Sequence, residues 1–302
     1  MAGNKLEQAR GNVSCATGLG FRAVIPRLTG ALVRAVMVVL LIATPSALLP
    51  GTHAETTQIV ALVSLLAAIF TLIEYNSHYP SLVEFREAPP FNRLRFFALF
   101  AGVFLLSVIA RGQVYPTTIT DFFTVIGRRV GDVIDFPYSP VRLVVLMMPD
   151  EASRALIDSV RTAAGLSYLI SILSLSIFVL ILRLHHWPAR HGGFNVWVNL
   201  PTFDPTAGGD VVERLNRDAQ VNLILGFLLP FMIPAIVKLA SDLLNPISLE
   251  NPHTLIWMVT AWAFLPASLF MRGIALSRVA QMVSNQRRRA YAAAQEEGMA
   301  TA

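Results

Sequence analysis

The sequence predicts an all-α fold: a polytopic transmembrane helical bundle of six spans, with an extracytoplasmic amphipathic helix and a cytoplasmic C-terminal helix. Three observations predict it. Hydrophobic residues make up 54% of the 302 and charged residues only 14%, with a mean hydropathy of +0.57, where a soluble domain carries about 25% charged residues. Apolar runs recur, the last two (Val221–Leu244 and Thr254–Ile274) exceeding the roughly 20 residues a helix needs to cross hydrocarbon. The connections between runs alternate between basic and poor in Lys and Arg, which orients the chain by the positive-inside rule.

Residues 1–28 form a polar arm with Lys5, Arg10, Arg22 and Arg27, expected in the cytoplasm. Residues 29–110 hold spans one to three: Thr29–Leu49, Thr57–Ile73 and Leu94–Ala110. A secretory signal has a shorter basic region than this arm, so the first run reads as a retained span. The connection Pro50–Glu55 has no Lys or Arg, whereas Tyr75–Arg93 carries Arg86 and Arg93. Residues 111–163 are the longest stretch between spans and fall outside by alternation. Within them Phe122, Ile126, Val130 and Val133 recur at helical spacing, with Arg128, Arg129, Asp132 and Asp135 on another side. That pattern is an amphipathic helix lying on the outer leaflet or capping the bundle. Val141–Met148 is too short to span and is expected to dip into the interface or pack on the bundle.

Beyond Pro149 no strong breaker appears before His185, so one long helix should rise into the fourth span, Leu166–Leu182. Residues 164–276 hold spans four to six, with a basic cytoplasmic loop at 183–220. In that loop Phe194–Leu200 alternates apolar and polar residues and reads as a short extended segment. Asp210 and Glu213 then stand at capping-box spacing before the fifth span. Residues 277–302 continue the sixth span as a basic helical tail through Arg287, Arg288 and Arg289. Six spans with both termini inside a bacterial inner membrane is the consistent arrangement.

Few residues suggest chemistry. Lys238, with Asp242 one turn later, is either a transport site or a lysine snorkelling to the outer headgroups, and its shallow depth favours the second. Pro230 and Pro234 should kink this span and free backbone carbonyls. Glu74 ends the second span, where Arg95 is expected to pair with it across the hairpin. Ser167, Ser171 and Ser174 share one helix face, as helix packing requires. The two connections rich in aromatics and prolines (Tyr75, Tyr79, Phe85 and Arg86 in one, Phe194, Trp197 and Phe203 in the other) either dock a partner or pack on each other.

His185, His186 and His191 are weak metal candidates. Their spacing resembles one box of the membrane di-iron desaturases, but those enzymes use more histidines over several boxes and this chain has six in all. No phosphate loop, dinucleotide fingerprint, His-Glu-x-x-His or nucleophile elbow occurs, and no cofactor is implied. The formal charge of +5 sits at span ends without interleaved aromatics, which argues against nucleic acid. The expected partners are the lipid bilayer and a membrane or cytoplasmic protein, with self-association compatible. The leading reading is a non-catalytic subunit or assembly factor that docks partner proteins. A small-solute or ion transporter using Lys238 is the alternative, and an enzyme built on the histidines ranks third.

Overall fold

The computed structural model describes residues 27–149, 151–185, 187–188, 194–204, 206–243 and 249–300, with backbone alone at 242–243 and 297–300. The elements are α1 (Arg27–Leu48), α2 (Ala54–Asn76), α3 (Phe91–Gly112), α4 (Thr118–Ile134), α5 (Pro140–Leu146), α6 (Arg154–Leu184), α7 (Val196–Asn199), α8 (Val211–Leu243) and α9 (Pro252–Ala300). No strand occurs among the described residues. Six of these helices (α1, α2, α3, α6, α8 and α9) are long and apolar enough to cross a membrane, the build of a multi-pass membrane protein.

The bundle has two ends. The cap end carries α4, α5 and the start of α9. The loop end carries the α2–α3 connection, α7 and the continuation of α9. A separate apolar core fills each: Val103, Leu106, Val141, Val160 and Ile256 toward the cap, and Phe85, Phe91, Phe178, Leu215 and Leu276 toward the loops. The helices α6 and α9 contribute to both cores. By contrast α2 buries only Ser64 and Glu74 and exposes Leu62, Leu66 and Phe70. Facing water, so broad an apolar surface would drive aggregation. Against lipid tails, which are as apolar as leucine, it meets no penalty.

The prolines of the fifth span are locked into this packing. Pro234 has no N–H, so the carbonyl of Pro230 four residues back loses its helical donor. The indole Nε1–H of Trp262 in α9 donates to that carbonyl at 3.0 Å, and the Trp262 ring stacks 5.8 Å from Tyr168 of α6. Ser167, Ser171 and Ser174 are all buried, as the packing role requires.

The amphipathic helix is present as α4, started by a reciprocal capping box between Thr117 and Thr120. Phe122, Val125 and Val133 on its apolar side are exposed, Phe123 and Ile134 pack against the cap core, and the buried positions are Thr120, Gly127 and Gly131. Small residues let backbones meet closely, and a Cβ on Gly165 of α6 would lie 2.5 Å from the Gly131 Cα. Asp135 fastens the seam, accepting from Arg161 Nε at 2.7 Å and from Arg142 at 3.3 Å. The segment expected to dip or pack does pack: Val141 and Val144 of α5 are buried.

One local expectation is corrected. Phe194–Leu200 is not extended, because residues 196–199 close one helical turn as α7. The Asn199 side chain donates to the Asn195 carbonyl at 3.0 Å, and Val198, Asn199 and Leu200 are buried. Burial of three consecutive residues against the other loop overrides the alternation. The long rising helix is seen as α6, and the tail as the last half of α9.

Candidate functional site

The two aromatic connections interlock at the loop end. The Phe85 N–H donates to the Asn199 carbonyl at 2.7 Å, the Glu87 N–H to Asn199 Oδ1 at 3.0 Å, and Thr202 Oγ1 to Glu84 Oε1 at 2.8 Å. Phe85 holds φ of 52°, in the left-handed region that costs a side-chain-bearing residue about 1–3 kcal/mol. Its ring offsets this cost by complete burial between Phe91 at 4.5 Å and Trp187 at 5.6 Å. Arg86 closes the loop, donating to the carbonyls of Glu74 at 2.9 Å and Ser77 at 2.6 Å.

The partner-binding residues named from the sequence therefore divide. Phe85 and Phe203 are buried inside the platform, Phe194 and Arg86 are half-buried, and Tyr79 and Trp197 are exposed on its surface. Asp210 joins the platform to the tail. Its carboxylate accepts from Arg287 at 2.7 Å and from the Val212 N–H at 3.0 Å, which together hold it below the ordinary aspartate pKa.

The expected pair of Glu74 with Arg95 is corrected. Glu74 turns instead to the loop that follows it, accepting from the backbone N–H groups of Ser81 at 2.5 Å, Leu82, and Val83 at 3.0 Å. Those donors lie seven to nine residues along the same chain and reach the carboxylate first. Arg95 is left with its guanidinium 5.1 Å from the Phe91 ring and 5.8 Å from the Phe264 ring. Its Nε is buried without a hydrogen-bond partner. Glu84 belongs to Arg272, which grips it in a two-pronged fork at 2.6 and 2.8 Å.

The transport candidates do not converge. Lys238 is half-buried near the cap end of α8, whereas Glu74 stands at the loop end. Asp242 follows Lys238 by one turn on the α8 backbone, its side chain outside the described residues. Of the histidines, His185 Nδ1 lies 3.3 Å from the Ile181 carbonyl, while His186 and His191 fall outside the described residues. Among the described residues no three His, Cys, Asp or Glu side chains gather as metal ligands would.

One feature had no signal in the linear chain: a cavity of about 580 Å³ at the cap end. Leu106, Ile109 and Ile256 give it an apolar floor, and Arg128, Asp158 and Glu250 a charged rim. A lining of this kind suits a molecule with an apolar body and a polar head. Four separate helices contribute to it, so no periodicity within one element announces it.

Compared with protein-family models, with curated proteins and with solved structures, the chain matches none.

Proposed function

We propose that this chain is a non-catalytic subunit of a bacterial inner membrane, with both termini cytoplasmic, that docks or helps assemble partner proteins through its loop end. The observation that carries the reading is the length of α9. Its 49 residues rise about 74 Å at 1.5 Å each, more than twice the roughly 30 Å of hydrocarbon. From Arg287 to Glu296 the helix is exposed and stands beside a platform that presents Tyr79 and Trp197. Aromatics and arginines on a rigid support are the usual anchors of a protein interface. Meanwhile the middles of the spans hold almost no ionisable side chains, which coupled carriers normally keep there.

The transporter reading rests on the α8 prolines and Lys238. The Pro230 carbonyl is already taken by Trp262, which favours a structural role for that turn.

A photo-crosslinker at Tyr79, Trp197 or Tyr291 in the membrane-embedded chain is expected to capture one discrete protein, the same from all three positions. A crosslinker at Tyr138, on the cap, should not capture it. No adduct from any of the three, with the chain emerging alone from mild detergent, would sink the docking role.

A further inference from the structure

The failed pairing of Glu74 with Arg95 leaves an imbalance of charge at the loop end of the spans. Four guanidinium groups, Arg34, Arg86, Arg95 and Arg272, sit around Tyr75 and Glu84, and Arg86 is taken by the carbonyls of Glu74 and Ser77. Arg34 lies 4.6 Å above the Tyr75 ring, and Arg95 lies within electrostatic reach of Tyr75, Glu84 and Arg272. Among the described residues the carboxylate that faces Arg95 is Glu84, and Arg272 occupies both of its oxygens. Glu74 is close by, but one of its oxygens takes the loop N–H groups and the other the Ser81 hydroxyl at 3.1 Å.

Among the described residues Arg34 and Arg95 thus have no carboxylate of their own, and Arg34 makes a single hydrogen bond to them, to its own helix at the Gly30 carbonyl at 2.7 Å. Arg95 makes none to any described residue and leans on two phenyl rings. A buried cation without an anion is costly, and a ring face returns only about 0.5–2 kcal/mol.

The arrangement also has a direction. Arg34 is exposed, and Tyr75 and Arg95 are half-buried. All three lie within about two turns of the ends of their spans, at the depth where lipid headgroups meet hydrocarbon. Guanidinium forks match phosphate oxygens in geometry as well as charge, and the Tyr75 hydroxyl adds a donor.

From this we infer a binding site for a phosphate oxyanion, formed by Arg34, Tyr75 and Arg95, at the headgroup level of the loop end. An anionic phospholipid headgroup and free inorganic phosphate present the same oxygens. The bound oxyanion supplies the counter-charge that Glu74 withholds, and the site stands independently of the docking role.

The test uses the full chain in lipid nanodiscs and native mass spectrometry of the lipid it retains. Wild type should retain phosphatidylglycerol, and Arg34→Gln and Arg95→Gln should each weaken that retention about tenfold, as loss of one charge-assisted contact implies. Arg183→Gln, an exposed arginine at the same end but outside the cluster, should leave it unchanged. Should Arg95→Gln fail to fold, Arg34→Gln carries the test alone, because its side chain is exposed. Thermal protection by sodium phosphate in lipid-free detergent, matching that by phosphatidylglycerol and lost in the same variants, assigns the site to free phosphate. Protection by the lipid alone assigns it to a headgroup. Equal retention and equal protection in Arg34→Gln, Arg95→Gln and Arg183→Gln would overturn the site.

Discussion

The two ends of the bundle solve opposite problems. At the loop end, connections that look polar and irregular bury their aromatics in one another and become solid: Phe85, Phe91 and Phe178 are all but inaccessible. At the cap end, a helix with a well-formed apolar stripe leaves that stripe outside and docks by its glycines, beside a cavity of about 580 Å³. The difference follows from what each segment has to pack against. Loops that meet side by side can exchange rings and backbone hydrogen bonds. A helix crossing another at glycine contact has no room for side chains in the seam, so its larger residues turn away. In a membrane protein that outward stripe costs little, since hydrocarbon or the interface receives it.

The sharpest way to break the contrast is to hollow out the solid end. Phe85→Ala removes a fully buried ring and should lower stability by about 3–5 kcal/mol, read as an earlier thermal transition in detergent, with the half-buried Trp187 that packs on Phe85 becoming more reactive to surface probes. The cap is tested by filling its seam. Gly165→Leu places a side chain where the Gly131 backbone now lies, and overpacking of this kind typically costs about 1–3 kcal/mol. The expected readout is selective: protease sites in α4 become accessible while the loop end melts as before. If both ends loosened together, the two cores would be one cooperative unit and the comparison would fail.

A comparable or smaller effect is expected inside the cap core, where Trp262 sits. Trp262→Phe keeps a ring but removes the N–H that serves the Pro230 carbonyl, and leaving that group unsatisfied should cost about 1–3 kcal/mol, toward the low end if a water enters. Smallest is the tether of the tail. The Asp210 carboxyl is held below its ordinary value by Arg287 and by the Val212 N–H, so its contribution is present above the unfolded carboxylate pKa. It is lost as pH falls through the depressed folded value. Spin labels at Ser284 and Thr206 should show a fixed separation near neutral pH that broadens only in acid. Arg287→Gln should show the broad distribution at every pH.

The spans were legible because one property, apolar length, decides them and acts locally. The rise of α6 from Arg154 and its stop at Leu184 were readable for the same reason, as a run without breakers. The loop platform was not. Phe85 meets Asn199 across more than a hundred residues of chain, and nothing in either segment specifies the other. Alternation in Phe194–Leu200 suggested an extended piece because it reports exposure on two faces, whereas the fold buries Val198, Asn199 and Leu200 together. Glu74 was matched to Arg95 by charge and by hairpin geometry, but three backbone donors nearer along the chain took the carboxylate.

By itself the sequence determined that this chain is helical, where its membrane-length segments begin and end, and that a tail continues the last of them. These are consequences of how many apolar residues stand in a row and which breakers bound them. Only the tertiary structure decided which polar groups are satisfied: Trp262 serving Pro230, Arg272 taking Glu84, Arg34 and Arg95 left without a carboxylate among the described residues. Hydropathy is a sum over neighbours in sequence, but a hydrogen bond or an ion pair depends on which neighbours in space arrive first.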